Sequence, residues 1–133
     1  MFSECAKRLR TIDNPNPGRN RMIRITIPDF SCICPLTKRT DIATVYVSYI
    51  PEKSCIELLS LREYVYLLKN EKALHESIPC FLLDDLKTKC QPRYMKISAH
   101  FRDTADFDVE VSEEYTSPDW EIPPHFTTTM IKR

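Results

Sequence analysis

Cys34 and Asp41 stand seven residues apart in the run Cys34-Pro35-Leu36-Thr37-Lys38-Arg39-Thr40-Asp41, on the approach to an apolar strand. A cysteine is a useful nucleophile only as thiolate, and a nearby acid can protonate the electrophile that the thiolate attacks. The pair suits covalent chemistry on a group whose nitrogen must gain a proton as the bond to sulfur forms. A free cysteine is more often a buried small hydrophobe, so the argument depends on its surroundings. Two further carboxylates stand at element boundaries: Glu57, after the strand end Tyr49-Ile50-Pro51, and Glu76, in the pair His75-Glu76. A guanine-like ring presents N–H donors along one edge, for which a buried ionised glutamate is the natural two-acceptor partner. Taken singly, each glutamate reads first as a solvated charge near a helix start.

Composition narrows the classes. The 133 residues suit one domain with a modest core. Lysine plus arginine equals aspartate plus glutamate at 19 each, so no global field draws the chain to nucleic acid or an anionic membrane. No run of eighteen apolar residues and no secretory leader is read, which predicts a cytoplasmic protein without a membrane partner. The six cysteines are then expected as thiols, and Cys32-Ile33-Cys34 lacks a second Cys/His pair to complete a metal site. The chain has one glycine, Gly18, which excludes the glycine-rich cradles of dinucleotide and P-loop proteins. A nucleotide-like ligand must be held by side chains and strand-edge backbone.

The elements that position these residues follow from periodicity. Residues 22–27 and 44–50 alternate as half-buried strands, and 60–69 and 77–90 carry apolar residues at helical spacing. Residues 94–101 and 107–111 alternate again around a turn at 103–106. The order is strand, strand, helix, helix, strand, strand, an α+β domain over residues 21–115. Residues 1–20 read as a flexible basic arm, and the proline-rich 116–133 as a tail that packs across a neighbouring surface. In the first 24 residues Lys7, Arg8, Arg10, Arg19, Arg21 and Arg24 face only Glu4 and Asp13, so the arm could meet phosphates. A solubilising terminus is the plainer reading.

The run Phe30-Ser31-Cys32-Ile33-Cys34-Pro35-Leu36-Thr37, the stretch Asp41 to Pro51, Glu57, Ser60-Leu61, His75-Glu76 and Pro92-Arg93-Tyr94 together resemble the QueF family, over roughly residues 28–112. These are 7-cyano-7-deazaguanine reductases of the tunnelling fold. The resemblance implies an antiparallel sheet with two helices on one face, assembled into a pentameric or decameric ring with active sites between subunits. It implies that Cys34 attacks the nitrile carbon to give a thioimide and that Asp41 protonates the nitrile nitrogen. Glu57 and Glu76 would grip the deazaguanine ring, with Ile56, Leu58 and His75 seating it.

The chain departs from the family where a lysine-containing segment is associated with NADPH. Here it reads Glu57-Leu58-Leu59-Ser60-Leu61-Arg62-Glu63-Tyr64, with Leu59 and Arg62 in place of the two lysines. A leucine cannot pair with a phosphate, and Glu63 would repel one. The last hairpin, where reductases tend to carry an arginine and paired glycines, reads Arg102-Asp103-Thr104-Ala105-Asp106. The departure favours a non-reductive outcome with no required cofactor, in which ammonia gives an amidine or water leads to hydrolysis or loss of the nitrile carbon. The substrate would be 7-cyano-7-deazaguanine or a nucleic acid carrying it. The alternative is an NADPH-dependent reductase giving 7-aminomethyl-7-deazaguanine, and a minor one is a non-catalytic purine or pterin binder.

Overall fold

The structure is a computed structural model and describes residues 2–104 and 106–126. Its scaffold is a four-stranded antiparallel sheet in the order β2-β3-β5-β6, from β2 (Ile23–Ile33), β3 (Thr40–Ile50), β5 (Tyr94–Thr104) and β6 (Phe107–Thr116). Between β3 and β5 the chain forms α2 (Leu58–Leu68) and α3 (Ile78–Cys90), so the expected order of six elements is realised. The strands run longer than their apolar alternation because β2 and β3 continue as a ladder to Ile33↔Thr40. Pro28 has no N–H to give to a ladder. Accordingly β2 is an edge strand, and its register shifts between Ile27 and Phe30.

Both helices lie on one face. Alternation sends Ala43, Val45, Val47 and Tyr49 of β3 and Met95, Ile97, Ala99 and Phe101 of β5 into the core. Leu61, Tyr64 and Leu68 of α2 and Ile78, Leu82 and Leu86 of α3 meet them there. The opposite face is polar, with Arg24, Ser48, Lys96 and Glu114 in one cross-strand row. Helix α3 stops where Gln91 turns left-handed (φ 46°) and donates its N–H to Lys87 O at 2.8 Å.

Two short strands, β1 (Thr11–Asp13) and β4 (Ser54–Ile56), pair as a separate antiparallel ribbon. Three residues each are too few to show a period, so alternation cannot reveal them. Ahead of them come the short helix α1 (Phe2–Cys5) and a 3-10 turn at Ala6–Arg8. The stretch read as an arm is thus held against the domain. Arg10 N–H donates to Ser60 Oγ at 2.9 Å, and Asn14 N–H to Lys53 O at 2.9 Å. Arg93 then gathers residues 17–20, donating to the carbonyls of Pro17 and Arg19 and to Asn20 Oδ1 while pairing with Glu52 Oε1 at 2.6 Å. In the tail, β6 reaches Thr116 and the ring of Trp120 lies 6.1 Å from that of Phe126. Residues 127–133 of the expected tail lie outside the described residues.

Tyr64 is fully buried and donates to Asp85 Oδ2 at 2.7 Å. Burial raises the Asp85 carboxyl above its ordinary value, and the bond from Tyr64 works against that shift. Folding therefore favours protonated Asp85, a contribution that is full below the ordinary carboxyl range and is lost as pH rises through the folded value. Asp85→Asn should raise the urea midpoint at neutral pH, with the gain shrinking as the pH falls toward the ordinary carboxyl range. A gain of the same size at both ends would remove Asp85 as its source. Tyr64→Phe should cost about 1–3 kcal/mol at neutral pH, the scale of leaving a buried acceptor without its donor.

Candidate active site

The Cys34 loop is closed by the backbone. Cys34 N–H donates to Arg39 O at 2.8 Å, and Lys38 N–H to Cys34 O at 2.9 Å. The turn holds Lys38 in the left-handed region (φ 63°), a conformation that costs a side-chain-bearing residue about 1 kcal/mol. In this loop the Thr37 N–H, then the Thr37 hydroxyl, then the Leu36 N–H lower the Cys34 thiol below its ordinary value, against burial and the charge of Asp41. Cys32, two residues back on the same strand, has no such donors, and burial, with Asp41 and Cys34 adding to it, pushes it up to about 12. The loop thus lowers one of the two thiols while the other is raised. Thr37, three residues after the cysteine, bonds to the sulfur through its N–H and its hydroxyl, a placing that sequence reasoning missed.

Asp41 lies opposite Cys32 in the β2–β3 ladder. His75 arrives from elsewhere: Ile33 N–H donates to Glu71 O at 2.9 Å and Ala73 N–H to Ile33 O at 3.0 Å, which lays segment 71–73 along the end of β2. His75 Nδ1 then sits 4.0 Å from Asp41 Oδ2, and each of these buried atoms lacks a hydrogen-bond partner. Unpaired buried polar atoms are costly, and two facing each other mark a place prepared for a ligand. The His75 ring packs tilted on Phe101 at 5.2 Å, and its Nε2 lies 3.3 Å from Glu76 Oε2. The Glu76 side chain is 66 % exposed in the single chain, not buried as a ring-gripping carboxylate would be. Asp41 also opens onto a cavity of about 600 Å³, walled by Thr37, Arg39, His100 and Arg102 among others.

The remaining residues are elsewhere. Ile56, Glu57 and Leu58 line a second cavity, of about 580 Å³, with Tyr49 and Cys55. Glu57 caps α2, accepting from the N–H groups of Leu59 and Ser60, each at 2.8 Å. Those amides, with Arg10 3.4 Å away, lower its carboxyl, so it stays ionised. Segment 71–73 joins β2 beyond the far end of α2. Eleven residues of helix put about 16 Å between Glu57 and that end. One chain therefore brings together Cys34, Asp41, His75 and Glu76, and separately Ile56, Glu57 and Leu58.

A third groove, of about 500 Å³, runs along the outer face of α2, where Arg62, Leu59 and the exposed Tyr66 meet Arg8 from the N-terminal 3-10 turn. Two guanidiniums beside an aromatic ring form a donor set for a phosphate on a nucleotide. Glu63 shares the groove. Arg8 thus brings a second cation to this groove from a different element. Among the described residues no three His, Cys, Asp or Glu side chains gather as a metal site.

Residues 40–120 match the family described as QueF-like protein. The chain is 39% identical over 123 residues to the NADPH-dependent 7-cyano-7-deazaguanine reductase of Nitrosococcus oceani, covering 92% of this chain and 95% of that protein. The enzyme of that name from Halorhodospira halophila is 46% identical over 101 residues, covering 76% of this chain and 86% of that protein. Among solved structures, the archaeosine synthase QueF-Like in its apo form superposes with a TM-score of 0.67 over 77% of this chain and 96% of that one. At 24% identity this likeness shows the fold, the tunnelling fold. The reductases correct two expectations, the non-reductive outcome and the absence of a required cofactor. Enzymes named for NADPH dependence match across nine-tenths of the chain. The physical reason is that residues 57–64 and the hairpin at 102–106 do not by themselves show cations that other elements bring in, such as Arg8 beside Arg62.

Iodoacetamide should modify Cys34 ahead of Cys32, with a rate midpoint below that of an ordinary thiol. Thr37→Val removes the hydroxyl and should move that midpoint upward, read by mass against pH. An unmoved midpoint would show that the hydroxyl does not act on the sulfur.

Proposed function

The chain belongs to the QueF-like family, and from that premise we propose that it is an NADPH-dependent 7-cyano-7-deazaguanine reductase. The observation that carries the reading is the lowered Cys34 thiol in the loop leading to the orphaned Asp41–His75 pair. A nitrile is a poor electrophile until its nitrogen is protonated, so a thiolate and an acid must act on opposite ends of one C≡N bond. Cys34 attacks the carbon, Asp41 delivers the proton to the nitrogen, and a thioimide forms. His75 holds the ring of the substrate beside Asp41, and Glu76 accepts from its N–H edge. NADPH supplies the hydrides that take the nitrile to an aminomethyl group. Arg8 and Arg62 would hold one of its phosphates.

The site is completed by a second copy, whose Ile56, Glu57 and Leu58 close over Cys34 and Asp41. What supports this is the division of the chain's own residues between two ends of α2. Among the described residues, β2 and β6 are both free sheet edges. Basic Arg24 lies on one, and acidic Asp108, Glu110, Glu113 and Glu114 lie on the other. Copies joined edge to edge in one sense form a closed ring.

Mass analysis of 7-cyano-7-deazaguanine incubated with and without NADPH tests the reaction. The aminomethyl product is expected only with NADPH, and turnover of the nitrile without it would overturn the reading. Cys34→Ala and Glu57→Gln should each be inactive. After mixing and reassembly in equal amounts, about a quarter of the wild-type activity should return, because one site in four then has both native halves. No recovery from a mixture shown to reassemble would place both residues in one subunit's site.

A further inference from the structure

Arg19 and Arg21 of the N-terminal stretch are cations that the reductase reading leaves without a role. Asn14 and Arg93 anchor residues 14–20, so that Arg19 and Arg21 wall the same cavity as Glu57 and Leu58. Asn16 Oδ1 accepts from the Arg21 guanidinium and Ser48 Oγ accepts from Arg24 Nε at 3.3 Å, which orients both heads with N–H groups to spare. Glu57 is the one carboxylate on this cavity, and it is already engaged by two helix amides and Arg10. Arg19 and Arg21 therefore wall a space of about 580 Å³ with a surplus of positive charge over one engaged carboxylate, while the Arg24 head turns to Ser48 on the sheet face away from the helices. Its wall also offers exposed apolar surface, Ile12 at 53% and Leu58 at 61%.

Such a surplus is suited to a doubly charged oxyanion, which guanidiniums bind through paired N–H groups. Resting on the reductase reading, we propose that the cavity walled by Arg19 and Arg21 is a second phosphate seat that takes the diphosphate bridge of the nicotinamide dinucleotide. NADPH is anionic at two separated places, the diphosphate and the phosphate on the adenosine ribose. The Arg8–Arg62 groove can serve only one of them. The two cation sets flank the first turn of α2, with Leu58 in one cavity and Leu59 in the other. A dinucleotide laid across that turn meets both. Because the chain has a single glycine and no glycine-rich cradle, side chains must do what backbone N–H groups do in such cradles.

The test is dinucleotide binding to Arg19→Gln/Arg21→Gln, followed by protein fluorescence, with NADPH and NADH in parallel. NADH keeps the diphosphate and lacks the ribose phosphate. Both should weaken by the same factor, about tenfold or more, as expected for losing charged hydrogen bonds, and the salt dependence of binding should flatten. The Cys34 adduct formed with the nitrile in the absence of cofactor should be unchanged. Inorganic pyrophosphate should compete with NADH on the wild-type protein, a measurement that needs no variant to fold. Unchanged affinity for both dinucleotides, or a loss confined to NADPH, would overturn the assignment. Equal loss of the Cys34 adduct would overturn it too, by moving the arginines to the nitrile's own seat. So would single-stranded RNA binding that the variant abolishes while dinucleotide affinity stays the same. Failure of the reductase reading looks different: the wild type then binds neither dinucleotide, and the proposal falls with it.

Discussion

The arrangement of this molecule depends on two backbone hydrogen bonds at the end of β2. Ile33 donates its N–H to Glu71 O and accepts the Ala73 N–H on its own carbonyl, at 2.9 and 3.0 Å. That bridge lies next to Cys34 in sequence and leads, two residues past Ala73, to His75. Without it, the segment between α2 and α3 has no reason to cross the sheet end, and His75 would have none to face Asp41. A short parallel pairing thus converts two distant stretches of sequence into one wall. Phe101, in the core from β5, then sets the plane of the histidine ring.

On that wall the sulfur and the carboxylate sit in opposed environments, and the opposition decides their roles. A nearby carboxylate disfavours a thiolate, as the effect of Asp41 on both Cys32 and Cys34 shows. Cys34 escapes because the tight turn after it points amides and a hydroxyl at the sulfur. Cys32 has only burial and is held neutral. The left-handed Lys38 is the local cost of that turn, a strain of the kind that proteins keep at functional loops. Asp41 and His75 each keep a buried atom without a hydrogen-bond partner, and the proposed reaction would use both.

Much of this is legible in the residues themselves. Alternation and helical spacing reveal the six main elements because each buries one face against a shared core. Cys34, Asp41, His75 and Glu76 stand out as a set only through the family resemblance of the residues around them. Other features are hidden because they have no period. The ribbon of β1 and β4 is three residues a side, and the placing of residues 14–20 rests on one arginine, Arg93, more than seventy residues away. Thr37 is visible in sequence but its role is not, since only the closed turn aims it at the sulfur. Spacing also cannot tell that Glu57 lies a helix length from the other three carboxylate and imidazole groups, nor that Glu76 stays exposed in one chain.

The reading of the cofactor shows the limit most sharply. A phosphate is held by charge at a point in space, and long arginine side chains reach such a point from any nearby backbone. Loss of a lysine from one short segment therefore does not imply loss of the ligand. In a chain with one glycine, the backbone cannot supply the cradle, so the burden passes to side chains that fold in from other elements. Arg8 reaches the outer face of α2 from the 3-10 turn near the start of the chain, and Arg19 and Arg21 reach its other side from the stretch before β2. The basic bias of the N-terminal residues, which composition alone assigns to solubility, acquires a position through Arg93 and a chemical purpose through the cavity it walls.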